Sequence, residues 1–382
     1  QHEQKGTGHA VEQAKASFTN SEQVLVLYGD VPLITPETLQ DLIESGDNNS
    51  LKVLTAILED PTGYGRIVRD YDDNMLCITE EKDADEETKL INEINTGIMC
   101  IPAKWLTEAL SQLDNNNAQG EYYLTDLIAK AVNQGIEINS VTCEDEMEVA
   151  GINNRVQLAE VESYYQQLKA TELMMSGVTF RDPARVDIRG YIKAGQDITI
   201  DINVIFEGNN TISDNVSIGA NCIIINSVIY KGAEILPNSI IENAEVGTNC
   251  SVGPFARLRP GTKLAAKAKV GNFVEVKNAN IGLGSKINHL SYIGDTDMGA
   301  DVNIGAGTIT CNYDGANKHR TVIGDRVFVG SDTQLVAPVT VEDGATIGAG
   351  STIRKTAPAD SLTLTKSEQK TVKGWQRPVK KK

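Results

Sequence analysis

The sequence predicts an α/β domain followed by a parallel β-helix built from hexapeptides. Three observations lead there. From about residue 198 an aliphatic residue recurs at steps of six, residues 1 to about 152 alternate apolar strands with helical segments, and aromatic residues make up only 5% of the chain. A chain of 382 residues, 40% of them hydrophobic, can bury a large core and is long enough for two domains or more.

The α/β part begins with a helical stretch, HAVEQAKASF, that leads into a strand, VLVLYGD (24–30), expected to be buried. A second strand, LKVLTAIL (51–58), and the helical segments TPETLQDLIES and TDLIAKAVNQG follow in the alternation of an α/β domain. The boundaries predicted are 1–152 for this domain, 153–177 for a linker helix, 178–356 for the β-helix and 357–382 for a solvated tail ending in KKK. In the linker, Leu158, Val161, Tyr165 and Leu168 fall at steps of three and four and mark one helix face, with Gly177 as a stop.

The β-helix rests on its grid. Ile200, Phe206, Ile212, Ile218 and Ile224 lie six apart; after a five-residue step the grid resumes at Ile229, and three further five-residue steps lead to Val246, Ile281 and Met298. Beyond a polar excursion, CNYDGANKHR, it returns at Ile323 and runs to Ile353. One inward aliphatic per hexad, often followed by Gly, gives one short strand and one corner, and three hexads close a triangular coil. Stacked coils share one core, and a narrow prism has little room for aromatic rings.

A net charge of −17 disfavours nucleic acid as the main partner, because phosphate backbones reward clustered Lys and Arg. An anionic ligand must then be met by a local basic patch. The six cysteines, Cys77, Cys100, Cys143, Cys222, Cys250 and Cys311, form no CxxC pair, which signals neither a zinc ribbon nor a redox motif and fits reduced thiols in a cytosol. No apolar run approaches the roughly 18 residues of a membrane span, and the opening QHEQKGTGHA is neither basic nor apolar enough for a signal peptide. A soluble cytoplasmic protein without an integral membrane segment is expected. The chain has no initiator Met and opens like the middle of a domain, so preceding sequence is expected to be missing.

Two regions carry chemistry. In LYGDVPL, Asp30 stands just past a strand, where open α/β sheets present ligand-binding groups. A carboxylate there can hold Mg²⁺ against phosphates, although an Asp in that place is also an ordinary turn residue. GTGHA (6–10), DPTGYGRI (60–67), EEKDA (80–84), EINTGI (93–98), NAQGEYYLTD (117–126) and GINN (151–154) surround it in sequence order. In the β-helix, segment 257–277, RLRPGTKLAAKAKVGNFVEVK, carries six basic residues and one acidic one, Glu275. Arg259 and Lys277 each sit one position past an inward aliphatic and 18 residues apart, so they should stack on one face and meet a phosphate. A solvated face is the alternative. His289 lies two past Ile287 in INHLSYIGD; a lone His is commonly structural, yet imidazole titrates near neutrality and suits a general base.

These motifs and the hexapeptide coil together resemble the bacterial family of bifunctional N-acetylglucosamine-1-phosphate uridyltransferases/glucosamine-1-phosphate acetyltransferases, over essentially all 382 residues. The resemblance implies an α/β nucleotidyltransferase (Rossmann-like) domain followed by a left-handed parallel β-helix. It implies acetylation of glucosamine 1-phosphate by acetyl-CoA, then uridyl transfer from UTP to N-acetylglucosamine 1-phosphate with release of pyrophosphate. By the same resemblance, the product is expected to serve peptidoglycan and lipopolysaccharide synthesis. Family residues carried onto this chain place UDP-N-acetylglucosamine on Gln1, Gly6, Thr7, Tyr28, Gly29, Asp30, Gly65, Glu80, Asn95 and Asn153, and Mg²⁺ on Asp30 and Asn153. His289 is the implied base; Arg259, Lys277, Tyr292 and Asn303 hold the sugar phosphate, and Ala306, Asn312, Tyr313, Ser331, Ala349 and Lys366 line acetyl-CoA. A homotrimer, with sites between subunits, is implied as well.

Two departures from the family pattern carry expectations. The family's opening strand and glycine-rich loop, LAAGxGTRM, is not among these residues, so the amide cradle for the triphosphate is expected to be lost and uridyl transfer by the 382 residues alone to be nearly absent. Lys366 stands where the family usually places Arg, which keeps the charge, loses the bidentate fork and should weaken coenzyme affinity. Competing readings are a sugar nucleotidyltransferase whose β-helix only oligomerises or regulates, and a non-enzymatic assembly scaffold. Stacked Arg259 and Lys277 beside His289 argue against both, since a stalk needs no phosphate site.

Overall fold

The computed structural model describes residues 1–366 and 368–380, which fall into two compact units, 1–165 and 166–382. The first is a mixed α/β unit. Strands Met75–Thr79, Arg66–Arg69, Glu93–Pro102, Leu51–Ile57 and Ile138–Cys143 lie side by side in that order. Leu51–Ile57 and Ile138–Cys143 run parallel, whereas Glu93–Pro102 is antiparallel to its neighbours. One apolar cluster contains Leu51, Met99, Leu106 and Leu127; another contains Leu54, Ile98, Leu42 and Val149. Successive side chains of a strand point to opposite faces, so Val53 and Leu54 feed different clusters.

The expected strand at 24–30 is shorter than its apolar run. Gln23–Val26 pairs with Glu93–Pro102 and is only half-buried; Leu27 onward leaves the sheet. Just beyond its end, Tyr28 packs on the partner strand at Gly97, φ +82°, where a Cβ would stand 2.1 Å from the Tyr28 ring. The ring occupies the room that a side chain on residue 97 would fill. Helices Pro36–Glu44 and Asp126–Asn133 form as expected, the first capped by Thr35, whose side chain accepts from the Thr38 amide. A helix, Arg155–Met175, follows, and Gly177 beyond it adopts φ +105°.

The second unit is a parallel β-solenoid with three ladders of short strands. On the first, Lys286–His289 lies between Lys269–Asn272 and Asn303–Ile304. On the second, Glu275–Lys277 lies between Arg257–Leu258 and Tyr292–Gly294. On the third, Thr296–Met298 lies between Asn280–Ile281 and Thr321–Ile323. The inward aliphatics expected from the six-residue grid, Ile200 through Ile353, are buried in one continuous core. Among the described residues the last paired strand is Leu362–Thr363, against Thr346–Ile347.

The five-residue steps have a common physical origin. Each follows a second-ladder strand, and each has Asn or Asp two positions past the inward residue: Asn226, Asn243, Asn278 and Asp295, with φ between +44° and +48°. Left-handed backbone suits these short polar residues and turns the corner with one residue fewer. The grid also runs one place further than its aliphatics show. Thr310 is fully buried at the next inward position; its hydroxyl accepts from the Gly294 amide at 2.7 Å and donates to the Gly294 carbonyl at 3.1 Å. Because Thr296 is paired with Thr321, the polar excursion is residues 313–320, inserted at one corner without altering the coils on either side.

Candidate functional sites

In the first unit a cleft of about 460 Å³ gathers Thr7, Tyr28, Asp30, Gly65, Glu80, Asn95 and Asn153. Gln1, Gly6 and Gly29 are not on its wall. Gln1 instead hydrogen-bonds the Gly6 carbonyl at 3.3 Å and His9 Nδ1 at 2.9 Å. Gly6 packs against Tyr122, so closely that a Cβ would meet its carbonyl oxygen at 2.6 Å. Asp30 and Asn153 are drawn together by the backbone, since the Ile152 amide donates to the Asp30 carbonyl at 2.9 Å.

The cleft is chemically suited to a sugar. Glu80 accepts from the Thr125 hydroxyl at 2.8 Å; burial, with Asp126 and Asp83 adding to it and Thr125 opposing, holds its carboxyl above the usual carboxylate range. Tyr28 is pushed up to about 12 by burial and by the charges of Glu80 and Asp30, against a hydrogen bond with Thr7, so it is a neutral donor. The Asn95 side-chain oxygen accepts from the Gly97 amide at 3.1 Å. Gly97 is a site residue with no signal of its own in the sequence: EINTGI contains it, but its role depends on Tyr28, some seventy positions away.

In the solenoid, the expected residues separate onto different parts of the prism. His289, Ala306, Ser331 and Ala349 all lie two past an inward residue of the first ladder and form one column along its edge: Asp332 donates to the Ala306 carbonyl at 2.7 Å and Gly350 to the Ser331 carbonyl at 2.8 Å. Asn272 belongs to the same column and was not foreseen. It pairs with His289 across adjacent coils, and its Oδ1 stands 2.8 Å from His289 Nδ1. An amide oxygen only accepts, so in the neutral ring Nδ1 is the nitrogen that bears the proton and Nε2 the one with the lone pair.

On the second ladder and the corner after it stand Arg259, Lys277, Tyr292 and Asn312. Arg259 donates to Glu275 at 2.8 Å, using one of its five N–H groups. Asn312 is buried at the root of the excursion, 3.5 Å from the Tyr292 hydroxyl. The excursion folds back as a small hairpin with Tyr313 bridged to Lys318. That brings Lys318, a second unforeseen residue, against Lys277, whose ammonium is held below the usual lysine range by Lys318 first and by burial second, with Asp295 opposing. The signal in the sequence is slight: Lys318 lies inside the insertion, off the grid. Asn303 stands on the first ladder, between Lys286 and Phe328, across an edge from Lys277. Tyr313 is exposed, as is Lys366 after the last paired strand.

Residues 1–166 match the nucleotidyl transferase family, 188–281 the GMPPB C-terminal domain, and 320–355 the bacterial transferase hexapeptide (six repeats). Over 381 residues the chain is 55% identical to the bifunctional protein GlmU of Cupriavidus pinatubonensis, an alignment that takes in 100% of this chain and 84% of that relative. Among the described residues no helix is long and apolar enough to cross a membrane.

Proposed function

The chain belongs to the family of the bifunctional protein GlmU, and on that premise we propose how its two units divide the synthesis of UDP-N-acetylglucosamine. The α/β unit, residues 1–152, is the uridyltransferase; 153–177 is the linking helix; 178–356 is the acetyltransferase, with 357–382 as its tail. Acetyl-CoA and UTP are the co-substrates.

In acetyl transfer, an ammonium has no lone pair with which to attack a thioester. His289 Nε2 takes a proton from the sugar's amino group as its nitrogen forms a bond to the acetyl carbonyl carbon; the C–S bond then breaks and the proton passes to the departing sulfur, so coenzyme A leaves as the thiol. Arg259, Lys277 and Tyr292 receive the sugar phosphate, with Lys318 added from the excursion and Asn303 reaching the sugar. The column Ala306, Ser331 and Ala349, with Asn312, Tyr313 and Lys366, lines the coenzyme. The observation that carries this reading is the Asn272–His289 contact. It leaves Nε2 open on the same edge as the coenzyme column, an arrangement an oligomerisation stalk would not need.

In uridyl transfer, a sugar 1-phosphate oxygen attacks the α-phosphorus of UTP and pyrophosphate departs. Glu80, Asn95 and Gly65 hold the N-acetylglucosamine moiety, and Thr7 and Tyr28, which line the same cleft, the nucleotide. Asp30 and Asn153 present hard oxygen donors to one cleft, the donor type Mg²⁺ takes, and those two would hold it. Bound there, Mg²⁺ neutralises phosphate charge. The chain's own groups act by positioning both reactants.

A homotrimer is supported by two features. Asn303 and Lys277 are separated by an edge of the prism, so one chain does not gather the whole sugar site. Beside the His289 column, Phe255, Phe273 and Leu290 form an exposed apolar ridge, the two rings stacked 5.3 Å apart. Each residue holds φ between +47° and +56°, a conformation that costs about 1–3 kcal/mol for a non-Gly side chain and that Asn or Gly would adopt more readily. Burial against a second copy offsets that cost. A cytoplasmic location is supported by the six unpaired thiols. Release of coenzyme A thiol with glucosamine 1-phosphate, and of pyrophosphate with UTP and N-acetylglucosamine 1-phosphate, tests the assignment; loss of the first on His289→Ala is the expected result, and unchanged release would overturn it.

A further inference from the structure

Asp295 is a buried carboxylate at the foot of the cationic cluster, and no step above uses it. It is 4% exposed. Asn278 and Asn312, 17 residues before and after it, each donate a side-chain N–H to it, the first at 2.6 Å. Burial alone would raise its carboxyl, but those two amides and the facing Lys277 and Lys318 ammoniums outweigh burial and hold it below the usual range. Around the Lys277 ammonium stand Lys318 and Arg259 as like charges and Asp295 as the counter-charge. Glu275 is engaged by Arg259, Tyr292 lies beside Arg259, and Arg320 feels Asp295 while paired with Asp297.

Three cations that must converge on one phosphate repel each other when it is absent. A buried carboxylate behind them lowers that repulsion, and because the amides of Asn278 and Asn312 hold its oxygens, it acts on the lysines as a charge rather than as a direct hydrogen-bond partner. We propose that Asp295 is a positioning residue for acetyl transfer: its carboxylate orients the Asn312 amide and counterbalances Lys277 and Lys318, setting the lysine pair that receives the sugar phosphate. This rests on reading Lys277 as a phosphate ligand.

The test is Asp295→Asn. Asn already occupies the same left-handed corner position at residues 226, 243 and 278, so the coil accepts it; a circular dichroism melt checks this. The KM for glucosamine 1-phosphate should rise about 10-fold at neutral pH, the scale of one lost interaction with a charged group, while the KM for acetyl-CoA changes little. With its counter-charge gone, Lys277 loses its proton at lower pH, so the alkaline rise in that KM should begin earlier than in the parent enzyme. Pairing the change with Asn278→Asp returns a carboxylate to the neighbouring rung and should recover most of the loss. Lys277→Ala is measured alongside. If it raises the sugar-phosphate KM but Asp295→Asn leaves that KM and its pH profile as in the parent, or raises both KM values together with a lower melting temperature, Asp295 is merely structural and the proposal is wrong. If Lys277→Ala leaves the sugar-phosphate KM unchanged, the phosphate site itself is misread and the proposal falls with it.

Discussion

Asn272 and His289 face each other across adjacent coils at 2.8 Å, amide oxygen to Nδ1. The pair fixes the ring and its tautomer. His289→Ala should lower kcat for acetyl transfer about 10²- to 10⁴-fold. Asn272→Ala, which leaves the base but frees its ring, should lower kcat about 10-fold through lost orientation, with both KM values close to the parent. Steady-state kinetics with a thiol reagent reads both, and an Asn272→Ala enzyme of full kcat would remove Asn272 from the site.

Lys318 joins Lys277 only because the excursion folds back over the second ladder. Lys318→Ala should raise the KM for glucosamine 1-phosphate about 10-fold, as loss of one charge-assisted contact does, and Arg259→Ala should act likewise. Neither should move the KM for acetyl-CoA to the same extent. Equal effects on both substrates would point to damage in the coil.

Much of the solenoid was legible because its period is written in single residues: every aliphatic on the six-residue grid is an inward side chain, and the five-residue steps mark short corners. Thr310 escaped because a hydroxyl breaks the apolar pattern while its hydrogen bonds to Gly294 satisfy it. The sites were legible only where their residues lie near a motif or on the grid. Asn272 and Lys318 act through a neighbouring coil or through the hairpin of an insertion, relationships that need the register of the fold. Gly97 depends on where Tyr28 lands once the first strand leaves the sheet.

Glu80 is held protonated to a higher pH than an ordinary carboxyl by burial first. Its charged form is the better acceptor for sugar hydroxyls, so affinity for UDP-N-acetylglucosamine should fall as pH drops through that raised value, beginning above the ordinary Glu value of about 4.3. Glu80→Gln should bind more weakly at neutral pH and lose this acid limb. Calorimetric titrations across pH check it; a limb that survives in the Gln variant belongs to another group.

Gly97→Ala should abolish tight binding of the nucleotide sugar. A Cβ at 2.1 Å from the Tyr28 ring, on a residue at φ +82°, must displace either the ring or the strand. A fall in melting temperature of the α/β unit should accompany the loss, while acetyl transfer continues. Normal UDP-N-acetylglucosamine affinity in the variant would show that Tyr28 does not shape the cleft.

Thr310→Val keeps the shape of an inward residue and removes its hydroxyl. The Gly294 amide is then buried without its partner, which costs about 1–3 kcal/mol, and the solenoid should melt several degrees lower. An unchanged melting temperature would mean that the amide finds another acceptor.

The column of Asn272, His289, Ala306, Ser331 and Ala349 gives the prism's edge a scale. Adjacent coils are spaced about 4.8 Å apart, so the five residues divide roughly 19 Å of edge into four even intervals. A ligand stretched along that edge is measured as by a ruler, one graduation per coil, with the base near one end. Lengthening the molecule by a whole coil leaves every local contact intact and moves the graduations, so reach along the edge is tuned by counting coils, with no change in the chemistry at any one of them.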